Sequence, residues 1–237
     1  RAGQMLCDGA EILDIGGEST RPGSESIDAQ EEIARIVPVV QALRKEYPES
    51  ILSIDTYHAE TAEAALTMGA DIINDISAME YDGKMIEVVV KNNAKVIIMH
   101  MRETPKNMQQ NTQYSNVVEE VAKYLHERAA MLRGHNFPKE KIILDPGIGF
   151  AKNVEQNLKL MQGLNEMTGS GYPLLLAASR KTTIGKVLGD IPPEERLPGT
   201  IATSLQAVYA GANMVRVHDV KENVQAIRML EAILKCQ

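Results

Sequence analysis

Three times along the chain a Gly-Ala pair opens an apolar run of the same length: GAEILDI from Gly9, GADIIND from Gly69 and GANMVRV from Gly211. Glycine suits the position just past a helix, where the backbone turns left-handed, and the run after it reads as a strand. The fifth residue past each glycine is polar: Asp14, Asn74 and Arg216. Because a strand alternates its faces, a polar side chain near its end points into a barrel mouth while its neighbours pack against helices. Four further runs follow this plan: ILSIDT ending at Asp55 and Thr56, KVIIMHM at Met99 and His100, IILDPG at Asp145, and LLLAASR at Ser179 and Arg180. Seven apolar strands alternating with helical patterns predict a buried parallel sheet. An α/β TIM (β/α)8 barrel lacking its first β-strand fits the count, and Arg1 to Asp8 read as the tail of a helix with no strand before it. An open doubly wound sheet is the alternative.

The helical patterns carry their own punctuation. Asp28 and Glu31 resemble a capping box before the stripe Ile33, Ile36, Val37, Val40 and Leu43, which Pro38 is expected to kink. Asn116 and Glu119 open a second helix, on which His126 and His135 are expected to be solvated. With 237 residues and no linker-like stretch, residues 1–237 read as one domain. The chain has no Trp and only two Phe, so its core must be aliphatic and filled with Met. A net charge of −7 without any basic block argues against nucleic acid or an anionic membrane as partner. Cys7 and Cys236 lack metal-ligand spacing and fit a reducing, cytoplasmic compartment; no signal peptide or long apolar run is visible.

Polar groups gather at the strand ends. In IILDPGIGFAK an apolar strand stops at Asp145, and Pro146, Gly147 and Gly149 force a tight turn ahead of Phe150 and Lys152. Asp55, Asn74 and Asp145 either cap the helices that follow or together accept hydrogen bonds from a donor-rich ligand. Against them stand Lys181, Arg216 and His218. The last two share one strand face, and they either pair with Asp14 or another barrel carboxylate or form a phosphate cradle. The loop GGESTRPGS from Gly16 is a candidate substrate loop, in which Thr20 donates and accepts, Arg21 grips a phosphate and Pro22 limits collapse. His100 lacks a second histidine at ligand spacing and reads as structural, as do Asp14 and Glu18. The residues alone point to a flat, donor-bearing small molecule with an anionic tail.

At these blocks the sequence resembles the dihydropteroate synthases: DIGGESTRPG from Asp14, SIDT from Ser53, INDIS from Ile73, MHM from Met99, LDPGIGFAK from Leu144, SRK from Ser179 and VRVHDV from Val215. The similarity runs through essentially the whole chain, in the family's order. It implies a transferase of folate biosynthesis that condenses 6-hydroxymethyl-7,8-dihydropterin diphosphate with 4-aminobenzoate, releasing diphosphate. It further implies pterin binding by Asp55, Asn74, Asp145 and Lys181, and diphosphate binding by Thr20, Arg21, Arg216 and His218. Aminobenzoate would be held by Thr20, Pro22, Phe150 and Thr182, with Asp55, Lys181 and Arg216 as catalytic residues. Thr182 stands where Ser or Arg is commoner in the family. The resemblance brings with it Mg2+ as cofactor, a homodimer and a family that is a sulfonamide target. The family's first strand and following loop, which supply an Asn to the metal, have no counterpart here, so the metal ligands are unknown. Alternatives are a methyltetrahydrofolate corrinoid-protein methyltransferase and a truncated, non-catalytic pterin-binding protein.

Overall fold

The structure, a computed structural model, describes residues 1–20 and 23–236. Seven parallel strands lie in chain order: β1 (Ile12–Gly16), β2 (Ile51–Asp55), β3 (Ile72–Asp75), β4 (Lys95–Met99), β5 (Ile142–Asp145), β6 (Leu175–Leu176) and β7 (Met214–Val215). The first five form one ladder and the last two another. A bridge between Leu144 and Leu174 joins the two. Neighbours in sequence are neighbours in space throughout, with no point at which the order reverses. This is the wall of a barrel, not of a doubly wound sheet. Among the described residues β1 pairs only with β2, and β7 only with β6.

Ten helices are described: α1 (Ala2–Cys7), α2 (Ala29–Glu46), α3 (Ala59–Thr67), α4 (Met85–Lys91), α5 (Val117–Gly134), α6 (Val154–Gln162), α7 (Asn165–Thr168), α8 (Thr182–Val187), α9 (Leu197–Tyr209) and α10 (Val220–Leu234). No helix among the described residues is long and apolar enough to cross a membrane. Gly9, Gly69 and Gly211 have φ of +102°, +100° and +85°. Each therefore occupies the left-handed turn expected between a helix and the next strand.

Strand alternation sorts the side chains into two shells. Leu13, Leu52, Ile54, Ile73, Val96, Ile98, Ile142, Leu144 and Leu176 pack outward with the helices in the main core. The opposite parity builds a separate apolar floor inside the barrel from Ile12, Ile72, Ile97, Ile143, Leu175 and Met214. Two residues further along each of these strands, on the same face, come Asp14, Asn74, Met99, Asp145, Ala177 and Arg216. An apolar floor with a polar tier above it defines a ligand-binding end.

Helix caps match the sequence in kind, with shifts in detail. Asp28 accepts from the Glu31 backbone N–H at 2.8 Å, while the Glu31 carboxylate turns to Arg35 instead of closing a box. At α5 the returning acid is Glu120, not Glu119: its carboxylate accepts from the backbone N–H groups of Ser115 and Asn116. A complete capping box occurs at α6, between Asn153 and Gln156. The solvated position expected for His126 does not hold. Its Nε2 is buried without a hydrogen-bond partner, and the ring lies 6.2 Å from that of Tyr172.

Candidate active site

The register of the first three strands sets Gly16 beside Asp55 and Asp55 beside Asn74, so the β2 acid and the β3 amide are neighbours. Asp145, at the end of β5, is 3% exposed and lies beside Met99. Its Oδ1 accepts from the Gly147 N–H at 2.8 Å, which leaves the rest of the carboxylate for a ligand. Burial pushes the Asp145 carboxyl up, and Lys181, the Gly147 N–H, Lys152 and Arg216 oppose that rise.

Cations from the last two strands meet these acids. Arg216 Nε donates to Asp14 Oδ2 at 2.6 Å, and Nη2 to Asp55 Oδ2 at 3.2 Å. The ion pair foreseen as one alternative for Arg216 is therefore formed. Yet the Arg216 side chain is 45% exposed and keeps donors for a ligand. Burial disfavours its charge, but Asp14 and Asp55 outweigh this and hold its pKa above the ordinary value. Asp55 is raised to about 7 by burial and by Asp14, against the pull of Arg216. Lys181 falls to about 8 because burial outweighs Asp145. Its ammonium donates to the Ile148 carbonyl and lies 4.8 Å from the centre of the Phe150 ring. His218 Nδ1 is 2.9 Å from Ser179 Oγ, and burial followed by Arg180 and Arg216 lowers its pKa. Arg180 itself grips Asp219, tying the turn after β6 to the start of α10.

A cavity of about 800 Å³ runs between β1 and β7, past the apolar floor and the flank of α10, and at the strand ends Asp14, Asn74, Ser179, Lys181, Arg216 and His218 line it. The strand-end part of this cavity is where a small-molecule ligand would meet those polar groups. Thr20 is partly exposed in the loop after β1, and Thr182 is exposed at the first turn of α8. Arg21 and Pro22 lie outside the described residues. Glu18 in the same loop accepts from the Tyr57 hydroxyl at 2.8 Å and the Ile27 N–H at 3.3 Å, the structural role expected of it.

Two buried residues escaped the sequence reading. Asp75, next to Asn74 but of opposite parity, accepts from the Ser77 N–H and hydroxyl and from the Met79 N–H. It anchors the turn in which Ala78 and Met79 adopt φ of +50° and +67°. The alternation within INDIS carried that signal. Lys152 lies 2.9 Å from His100 Nδ1, a partner distant in sequence. His100 is thereby satisfied within the protein, and burial followed by Lys152 depresses its pKa to about 2.

Magnesium has no ready-made seat in this site. Among the described residues no three His, Cys, Asp or Glu are grouped as metal ligands, and Arg216 already bridges Asp14 and Asp55. That donor set does not fit a protein-held divalent cation.

Comparison with known proteins agrees with this geometry. The model of the family described as pterin binding enzyme matches residues 1–218. A dihydropteroate synthase of Synechocystis sp. is 43% identical over 233 residues, spanning 98% of this chain and 80% of its own length. The Bacillus subtilis dihydropteroate synthase is also 43% identical over 233 residues, spanning 98% of this chain and 79% of its own length. The crystal structure of Yersinia pestis dihydropteroate synthase in a sulfonamide drug complex superimposes with a TM-score of 0.95 at 38% identity, over 99% of this chain and 84% of that one. The enzyme from Xanthomonas albilineans, solved with 7,8-dihydropteroate, gives 0.89 at 33% identity, over 98% of this chain and 85% of that one. With its parallel strands in barrel order, Arg216 bridging Asp14 and Asp55 at the strand ends and these relatives over nearly its whole length, the chain belongs to the pterin-binding enzymes and, within them, to the dihydropteroate synthases.

Proposed function

We propose that this chain condenses 6-hydroxymethyl-7,8-dihydropterin diphosphate with 4-aminobenzoate to give 7,8-dihydropteroate and diphosphate, the folate-pathway reaction of its family. The observation that carries the assignment of roles is the meeting of middle-strand acceptors with last-strand cations at one end of the strands: Arg216 bridges Asp14 and Asp55, Lys181 and Arg216 act on Asp145, and Asn74, Lys181, Arg216 and His218 line one cavity. Asp145 accepts from the donor edge of the pterin, Asn74 and Asp55 read further ring nitrogens, and Lys181 donates to the acceptor side. Arg216 and His218, with Thr20 and Arg21 from the loop after β1, receive the diphosphate. Pro22, Phe150 and Thr182 border the place of aminobenzoate, next to Thr20.

The chemistry follows from that placement. The bond from the exocyclic methylene to oxygen breaks, and diphosphate departs with the electron pair, its charge balanced by Arg216. The methylene carries positive charge delocalised into the ring, which Asp55 stabilises electrostatically. The arylamine nitrogen forms the new bond to carbon and loses its proton to solvent or to the departing diphosphate. A weakly basic amine needs positioning more than a strong base. Asp14 shares Arg216 with Asp55, so binding of the anionic tail draws the guanidinium from carboxylate towards phosphate.

Three finer features belong to the same proposal. Mg2+, if it takes part, would arrive with the diphosphate and offset its charge, since no group of three His, Cys, Asp or Glu among the described residues is placed to hold it. A homodimer is supported by Val187, Leu188 and Tyr209, exposed to 55%, 46% and 72% on and after the helices that follow β6. A cytoplasmic site of action is supported by the free, exposed Cys7 and Cys236. The methyltransferase reading has no support among relatives that are dihydropteroate synthases, and a methyl donor offers no diphosphate to Arg216. Incubation with pterin diphosphate and radiolabelled 4-aminobenzoate tests the proposal. Labelled dihydropteroate is expected. Pterin binding without labelled product would instead identify a non-catalytic binding protein.

A further inference from the structure

Lys152 is 3% exposed and does not line the cavity, yet it carries an amine among the carbonyls of the turn after β5. Its Nζ lies 2.9 Å from His100 Nδ1, 2.9 Å from the Phe150 carbonyl, 3.1 Å from the Gly147 carbonyl and 3.3 Å from the His100 carbonyl. A buried ammonium is costly unless its protons are accepted, and these acceptors come from two different loops. The turn they hold is tight. Gly147 has φ of +67° and Ala151 φ of +51°, and a Cβ at Gly147 would sit 2.1 Å from the His100 carbonyl oxygen. That same turn supplies the Gly147 N–H that fixes Asp145 Oδ1.

We propose that Lys152 is a positioning residue for pterin recognition: by tying the Gly147 and Phe150 carbonyls to His100, it sets the orientation of Asp145. The inference rests on the pterin-binding role given above to Asp145. The groups facing Lys152 are His100 and Arg102 after β4, Asp145 on β5 and Lys181 after β6. Those facing Asp145 are Lys181, Lys152 and Arg216. Burial holds the Lys152 amine well below its ordinary range, while Asp145 pulls it back towards the charged form. The two groups therefore support each other's ionisation.

The test is Lys152→Met, which keeps length and volume but removes the charge. Pterin affinity by calorimetry is expected to fall roughly tenfold or more, while KM for 4-aminobenzoate changes less than about threefold. The acidic limb of pterin binding should also move to higher pH, because Asp145 loses a charge that favours its carboxylate. A purely structural role would not move that limb. Wild-type affinity together with an unmoved limb overturns the inference. Should the wild type itself bind no pterin, the assignment of Asp145 fails first, and the two failures are thus told apart. If Lys152→Met does not accumulate folded, the wild type labelled with 15N-lysine answers the same question. The Lys152 Nζ resonance should shift on saturation with pterin and not with 4-aminobenzoate alone, and a resonance unmoved by pterin overturns the inference.

Discussion

Replacing Asp55 by Asn should make the protein more stable at alkaline pH while removing activity. In the native state the Asp55 carboxyl is raised from 3.8 to about 7, first by burial and then by Asp14, with Arg216 only partly compensating. Between those values the folded form holds a proton that the unfolded form has lost, so stability falls as pH rises through this window. At 1.36 kcal/mol per pH unit the full rise corresponds to roughly 4 kcal/mol, most of it developed by pH 7. Asp14 and Asp55 share one arginine, so the step belongs to the pair, and roughly 2–4 kcal/mol is the reasonable range. Urea unfolding of wild type and Asp55→Asn from pH 4 to pH 8 measures it. The two midpoints should be close near pH 4 and diverge in the mutant's favour up to about pH 7. Parallel curves across the whole range would mean that Asp55 is ionised at no cost, and the electrostatic picture of the site would be wrong.

Other perturbations address single contacts. Lys181→Ala should weaken pterin binding by about 1.5–3 kcal/mol through loss of a charged hydrogen-bond partner, and unchanged affinity by calorimetry would remove Lys181 from the pocket. Arg216→Ala should impair binding of the diphosphate ester more than that of a pterin without the tail; equal losses would contradict the division of the cavity. Gly147→Ala forces a side chain against the His100 carbonyl at a left-handed backbone position. It should lower the melting temperature and abolish pterin binding, whereas a wild-type melting curve would show that the turn after β5 is not constrained.

All seven strands were legible in the sequence because their apolar runs are continuous, and β3, β4 and β5 show why, with both faces buried along nearly their whole length. The polar tier was legible too, since Asp14, Asn74, Asp145 and Arg216 interrupt runs that are otherwise Val, Ile, Leu and Met. What sequence did not separate was the two apolar shells. Ile72 on the floor and Ile73 in the outer core are the same residue type in adjacent places, and only register distinguishes them. Strands β6 and β7 are shorter than the runs LLLAASR and GANMVRV suggest, because β7 has a single neighbour among the described residues. Long-range partnerships were the least visible. Lys152 with His100, and Arg180 with Asp219, join loops that follow neighbouring strands, positions far apart in sequence that only the parallel pairing brings together. His126 was misplaced because one His on a mostly polar helix face carries no mark of what packs over it.

The tension within the site has a functional sense. An Arg216 shared between two carboxylates is held in place before substrate arrives, and an acid near neutrality costs stability at the spot where positive charge develops during the reaction. A pocket assembled to stabilise its own carboxylates would have given each a cation of its own.

The most direct measurement is the crystal structure of this protein with pterin diphosphate in the absence of 4-aminobenzoate. The expected result is a single molecule whose ring nitrogens meet Asp145 and Asn74 while its phosphate oxygens meet Arg216 and His218. A ligand bound in the reverse sense, or a ring away from the polar tier of the strand ends, would contradict the division of labour between the middle strands and the last.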